Sequence, residues 1–516
     1  MSSSKLRSAT AGALAAGLAL GVSEFVAGLV SGLPSLVESL GNWVIDIVPK
    51  PVKDLAINLF GTNDKLALLI GIAVVTLLIG AGTGILARTN FSVAVAVFVA
   101  FGVLAALAGA REPDTSLGLA LVPGGIAAIA GLASLMWLFS LDPSETDDHA
   151  AIETDGGTNP SRRSFLVGAT AVVGVAALSA GFGRALLVRG NKAVAGRFDV
   201  VLPTAKELAP PVLPAAEFGI EGLAPAVVPN PDFYRIDTAF AVPRVSLPDW
   251  TLRVTGRVDR PLEITYSDLL DMDMVERYIT LSCVSNKVGG DLVGNAKWLG
   301  VPLVEVLNRA GVHSTAEQLV GRSVDGFTVG FPVEAAFDGR EALVAVGMND
   351  EPLPFEHGFP ARLVVSGLYG YVSATKWLSE IELTGWDDFD AYWIPRGWAK
   401  EAPIKTQSRI DTPVDGGSIS AGPRSVAGVA WAPSRGISRV EVQLGEDADW
   451  VDAELSESLS ENAWLQWRVE WDASLGRQRI RVRATDGDGN TQTDEIRPPA
   501  PDGATGYHTI VVQVDA

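Results

Sequence analysis

The chain contains one cysteine, Cys283. It follows Tyr278-Ile-Thr-Leu-Ser, which reads as a strand, and enters Val284-Ser-Asn-Lys-Val-Gly-Gly-Asp-Leu-Val-Gly, a loop whose glycines permit close approach of backbone to a ligand. A cysteine in a strand is commonly just a small buried apolar residue. Here Lys287 lies four residues on, where a cation could favour thiolate, and a thiolate is a soft ligand suited to a soft metal centre. A nucleophilic role would instead need a histidine and an orienting acid near the sulfur. The four histidines are His149, His313, His357 and His508, of which His357 could be recruited. A disulfide within the chain is excluded, since it needs a second cysteine.

The elements that must carry this residue divide in two. Of 516 residues, 40 are basic and 60 acidic, for a net charge of −20, which leaves no basic face for nucleic acid. The first 189 residues carry only 11 basic and 13 acidic side chains, so the acid excess lies after them. Residues 66–87, 91–110 and 117–141 lack charge and are each close to the ~20 residues that cross a bilayer as a helix. Residues 165–183 form another span, and 9–37 a weaker one interrupted by Glu24 and Pro34. Residues 36–60 mix apolar and polar side chains as a helix lying on the outer surface does. Lys5, Arg7, Arg88 and the pair Arg162-Arg163 put the N-terminus and two loops on the cytoplasmic side, and five spans then place everything after about residue 190 outside. That compartment is oxidising, where an unpaired thiol is a liability unless used. Ser161-Arg-Arg-Ser-Phe-Leu resembles an internal twin-arginine signal, a route for domains folded around a cofactor. No histidine falls in a span, so the spans offer no pair for a membrane haem.

Residues 191–231 are rich in Pro and Ala and read as an extended tether. Residues 232–403 mix short strands and helices outside regular βαβ order, which argues α+β. Residues 404–516 carry short alternating runs between Gly, Asp, Asn and Ser clusters, as in an all-β sandwich of immunoglobulin type. Several strings in the middle region match a known pattern in order. Leu281-Ser-Cys-Val-Ser-Asn-Lys-Val-Gly-Gly with Lys297-Trp-Leu-Gly-Val-Pro-Leu resembles the metal-thiolate segment of the sulfite oxidase family of molybdopterin-dependent oxidoreductases. The resemblance extends through Phe233-Tyr-Arg-Ile-Asp and the string from Met348 through Glu356-His-Gly-Phe-Pro-Ala-Arg to Ala374-Thr-Lys-Trp-Leu. The last 110 residues look like that family's immunoglobulin-like dimerisation domain.

The resemblance implies that Cys283 ligates molybdenum beside the dithiolene of a pyranopterin, and that Arg235, His357, Arg362 and Lys376 hold the pterin and its phosphate. Arg235 would also border the substrate pocket and orient substrate, and Asn286 and Lys287 would join the cofactor contacts. Arg and Lys suit a phosphate because they give charge-assisted donors. Two positions depart from the family: Val288 stands where sulfite oxidases have a second arginine, and Phe327 where they have a pocket tyrosine. Both changes weaken an anion site, although Arg235, Lys287 or Arg396 could still form one. No Cys-x-x-Cys-His occurs, so no haem is expected in this chain. The expectation is a membrane-anchored, extracytoplasmic molybdenum oxidoreductase moving an oxygen atom to or from a small sulfite-like or S-oxide substrate. Its partners would be a separate electron carrier, a cytochrome or quinone-linked protein, and a second copy joined through the C-terminal domain. The alternatives are a reductase of S- or N-oxides such as methionine sulfoxide, and a non-enzymatic cell-surface binding protein.

Overall fold

The computed structural model describes residues 3–29, 33, 35–49, 52, 55–56, 59–60, 64–110, 117–141, 160–194, 196–239 and 242–516, in two compact units that meet at residues 194 and 195.

In the first unit the uncharged runs fold as helices because a continuous helix satisfies every backbone donor and acceptor inside one segment. The helices are Ser3–Leu29, Leu36–Ile47, Asp64–Ala87, Phe91–Gly109, Leu117–Ser140 and Pro160–Val194. Five are long and apolar enough to cross a membrane. Small residues let them pack closely: a Cβ added at Gly12 would fall 2.0 Å from the Gly80 carbonyl oxygen, and one at Gly102 2.9 Å from that of Gly124. Two expected boundaries move. The first helix stops at Leu29 rather than running to 37, and Ser35 caps a new helix by accepting from the Glu38 N–H at 3.2 Å. That second helix ends at Ile47, so residues 36–60 are not one surface helix. The Arg162-Arg163 pair lies in the first turn of Pro160–Val194.

The second unit begins with residues expected to be a loose tether. Residues 196–231 lie on the core behind them instead: Lys206 N–H donates to the Met274 carbonyl at 2.8 Å, Glu276 N–H to that of Glu207 at 2.8 Å, and Val228 N–H to that of Asn295 at 2.9 Å. Extended Pro-rich chain keeps its carbonyls and remaining N–H groups available for such bridges. Ten strands follow: β1 (Thr251–Gly256), β2 (Leu262–Thr265), β3 (Val275–Ser282), β4 (Val293–Pro302), β5 (Gln318–Ser323), β6 (Thr328–Pro332), β7 (Ala342–Met348), β8 (Glu351–Pro352), β9 (Arg362–Val365) and β10 (Leu378–Thr384). They form two sheets, ordered β2-β1-β10-β5-β6 and β3-β4-β7-β8, with β9 on β7. Only β1 and β10 pair in parallel within them. One apolar core fills the space between, with Trp298, Phe331 and Phe359 fully buried. This is the α+β arrangement that the irregular order of strands and helices implies.

The remaining strands are β11 (Gln407–Thr412), β12 (Ser418–Ser420), β13 (Gly422–Trp431), β14 (Ile437–Leu444), β15 (Trp450–Asp452), β16 (Glu454–Leu455), β17 (Leu465–Ala473), β18 (Gly476–Asp486) and β19 (His508–Asp515). Two sheets, β11-β13-β17-β16 and β12-β19-β18-β14-β15, face each other across a separate core. Alternation on β18 puts Ile480, Val482 and Ala484 inward and leaves arginines between them. This is an all-β two-sheet sandwich.

Candidate functional site

β3 and β4 are an antiparallel hairpin, and Cys283 to Leu292 connect them. The connection is closed at its base, where Cys283 N–H donates to the Leu292 carbonyl at 2.9 Å and Leu292 N–H to Asn286 Oδ1 at 3.0 Å. Inside it, Asn286 N–H donates to the Cys283 carbonyl at 3.1 Å and Gly290 N–H to that of Lys287 at 2.9 Å. Asn286 therefore shapes the loop with its side chain. Cys283 is 9% exposed, and its Sγ lies 2.9 Å from the Ser285 hydroxyl. Burial pushes the thiol above its ordinary range, and the Ser285 hydroxyl opposes that by hydrogen bonding. Lys287 is exposed and takes no part in this balance, so its expected help to the thiolate is not what the structure provides. Spacing along a loop does not fix where a side chain points, and Ser285 is the group that reaches the sulfur.

Four further residues gather near Phe233 and Asp237. His357 sits in the turn Phe355–His357, with Nε2 2.9 Å from the Asn230 carbonyl and its ring edge-on to Phe233 at 5.5 Å. Burial holds it down to about 4, so it is neutral at pH 7 and donates from Nε2 to that carbonyl. Arg362, the first residue of β9, is 5% exposed. Its Nη1 donates to the His357 carbonyl at 3.0 Å, and its guanidinium lies over Trp298 at 5.0 Å. No carboxylate pairs with it among the described residues, and burial lowers it to about 10. Lys376 Nζ donates to Asp237 Oδ2 at 2.9 Å and to the Glu356 carbonyl at 3.1 Å. Burial brings it to about 8, against the attraction of Asp237 and with help from Arg362 and Arg235. Arg235 Nε donates to the same Asp237 oxygen at 2.8 Å and keeps 41% of its side chain exposed. Gly358 has φ +110, and a Cβ there would fall 3.0 Å from Lys376 and 3.1 Å from Arg362, so the glycine lets the two cations come together.

Arg235 and Lys376 thus share one carboxylate that is 5% exposed, and Arg362, buried close to Lys376, has none. Uncompensated buried positive charge is costly unless an anion arrives to pair with it. The donor set fits a phosphate-bearing group, and the lone soft sulfur fits one protein ligand of a metal that brings its other donors with it. Among the described residues no group of three His, Cys, Asp or Glu is placed to hold a metal.

The structure adds Tyr234, stacked on Phe233 at 5.2 Å, whose hydroxyl has no hydrogen-bond partner among the described residues. A Cβ built on Gly370 would be 3.9 Å from that hydroxyl and 3.8 Å from the Ser282 carbonyl, which places Tyr234 at the strand end carrying Cys283. Burial and the neighbouring Cys283 push its phenol up, so it stays a neutral donor. Sequence reasoning passed over it because a tyrosine beside a matched arginine carries no signal of its own. Phe327 packs on Tyr392 at 5.6 Å, and Arg396 lies over the same ring at 3.7 Å. His313 is exposed beside Asp259, and among the described residues no histidine bonds the Cys283 sulfur, which leaves a cysteine nucleophile without a base from them.

The family described as oxidoreductase molybdopterin binding domain matches residues 239–393. Human mitochondrial sulfite oxidase is 26% identical over 321 residues, covering 53% of this chain and 58% of that protein. Nitrate reductase [NADH] 1 of Arabidopsis thaliana is 26% identical over 321 residues, covering 50% of this chain and 35% of that protein. The chain therefore spans little more than half the length of the first of these relatives, and less of the second. Among solved structures, the sulfane dehydrogenase SoxCD from Paracoccus pantotrophus is 23% identical, covers 59% of this chain and 88% of that one, and superposes with a TM-score of 0.49. Residues 239–393 thus match a molybdopterin-binding oxidoreductase domain, and the chain is similar there to sulfite oxidase and nitrate reductase, which marks it as an oxidoreductase of that kind.

Proposed function

We propose that this oxidoreductase carries out two-electron oxygen-atom transfer on a small sulfur-containing substrate, sulfite-like or an S-oxide, and exchanges the electrons with a separate carrier such as a cytochrome or quinone-linked protein. The observation that carries the reading is the cation cradle, Arg235 and Lys376 on the buried Asp237 carboxylate with Arg362 buried beside Lys376, near the chain's one thiol. When bound, the molybdenum cofactor supplies two-electron redox chemistry and oxygen-atom exchange. Cys283 would hold the metal as thiolate. Arg362 and Lys376, the buried pair, would hold the phosphate, and Arg235, the most exposed of the three, would be the one to meet substrate. His357 stays neutral and fixes the turn that carries the Arg362 contact, while Asn286 keeps the metal loop closed. Lys287, exposed beside the loop, is available to a pterin or substrate anion. Tyr234 presents a hydroxyl, unpaired among the described residues, that can donate to an oxygen atom at the site without ionising.

Val288 and Phe327 favour a second reading within the same chemistry. With neither a second guanidinium nor a phenol at these positions, the pocket suits a neutral S- or N-oxide such as methionine sulfoxide better than a dianion. The membrane unit serves as an anchor, with the N-terminus cytoplasmic and the catalytic domain extracytoplasmic. The C-terminal sandwich is read as immunoglobulin-like and as the route to a homodimer. Purified full-length protein is to be assayed for sulfite oxidation with an artificial acceptor and for sulfoxide reduction with a reduced viologen dye. Turnover in either assay that disappears in Cys283→Ser supports the proposal; molybdenum-loaded protein inactive in both overturns the substrate class.

A further inference from the structure

We infer that His508 and Arg409, both from the C-terminal sandwich, are positioning residues for Cys283: they clamp the tip of the loop whose base holds the thiol. The loop's own hydrogen bonds close its base and leave Gly289 and Gly290 at the tip. Both tip residues meet the sandwich. Gly289 has φ +75, and a Cβ there would fall 2.2 Å from His508 Cδ2 and Nε2, so bare backbone rests against the imidazole. The Gly290 carbonyl accepts from Arg409 Nη1 at 3.0 Å.

Each clamp residue is itself fixed. His508 Nδ1 accepts from the Ile410 N–H at 2.9 Å, which ties β19 to β11 and puts the imidazole proton on Nε2, at the edge facing Gly289. Arg409 Nε donates to Asp411 at 2.5 Å, its guanidinium lies over Trp464 at 5.9 Å, and its side chain is 12% exposed. Two rigid groups, one from each sheet of the sandwich, therefore set where a glycine-rich turn can lie. Glycine fits the turn and cannot stiffen it, so the stiffness comes from the second domain. The geometry of the sulfur then depends on residues more than 120 positions away in the chain.

The chain's single cysteine makes the test specific, because a thiol reagent reads Cys283 alone. Full-length protein made in a host without the cofactor pathway is labelled with iodoacetamide, and melting is followed by circular dichroism. This readout needs no metal. The inference draws its functional weight from the reading of Cys283 as metal ligand, yet a failure of that reading, absence of molybdenum from wild type matured in a competent host, would leave the labelling result standing. His508→Ala and Arg409→Ala are expected to speed labelling roughly fivefold or more, by raising the open population of the loop. Arg424→Ala, whose guanidinium binds only the Ser420 and Pro423 carbonyls of its own sandwich, is expected to leave the rate unchanged. Rates within about twofold of wild type for both clamp variants would overturn the inference. Should His508→Ala also lower the melting temperature, Gly289→Ala decides. Its new methyl pushes against the imidazole, so Gly289→Ala and the double variant should label at similar fast rates, whereas independent, additive effects would refute the clamp.

Discussion

At the scale of the residue, the site is a set of groups whose charges do not balance until an anion is bound. Arg362 is the sharpest case, being buried with backbone carbonyls and a tryptophan face as its partners. Replacing a buried charge by a side chain of similar length often stabilises a protein. Arg362→Met is therefore expected to raise the stability of the cofactor-free chain by about 1–3 kcal/mol while cutting cofactor retention, measured by melting and by pterin content. His357 gives a pH signature. Its folded value of about 4 lies below its ordinary 6.5, so between these values the unfolded chain binds more protons and stability falls as pH is lowered. The fall amounts to about 3 kcal/mol, complete near the lower value. Denaturant titrations of His357→Gln from pH 7 to 4 should lack that component. Cys283 stood out in the sequence by its own chemistry, whereas Arg362, Lys376 and His357 were named there only through the family resemblance. The partners Ser285 and Asp237 were not, since the direction of a side chain is set by packing.

At the scale of the element, the site rests on the β3–β4 hairpin, the turn before β9 and the segment before β10. Close backbone approach recurs among them. A Cβ on Gly294 would fall 2.9 Å from the Phe233 ring, which packs on Trp298 and His357. Gly294→Val should cost about 1–3 kcal/mol by overpacking and weaken cofactor retention at the same time, through displacement of Phe233 and Tyr234. Strands and helices here followed from alternation and apolar runs, but ends were harder to read. A second helix begins after Ser35 because that serine caps it, a local hydrogen bond that hydropathy does not weigh. The Pro-rich stretch of 191–231 read as a tether because composition reports extension, and whether extended chain binds a surface depends on strands far along the sequence.

At the scale of the whole molecule, the helical unit has its own core and the second unit carries two, one between the sheets of β1–β10 and one in the sandwich. A chain of residues 195–516 is expected to be soluble without detergent and to load cofactor when matured in a competent host, and aggregation of that fragment would show that the helices do more than anchor it. The division between an apolar first part and an acidic second part was plain from charge alone. The contact between the sandwich and the metal loop was not, because nothing in His508 or Arg409 marks a partner near residue 289. The central claim is that Cys283 and the cation cradle hold a molybdenum cofactor. Metal analysis and pterin fluorescence on full-length protein, wild type beside Cys283→Ser, test it most directly. Near-stoichiometric molybdenum and pterin in wild type, with molybdenum lost or its Mo(V) resonance altered in the variant, is the expected result. Wild type matured in a cofactor-competent host yet free of both would contradict it.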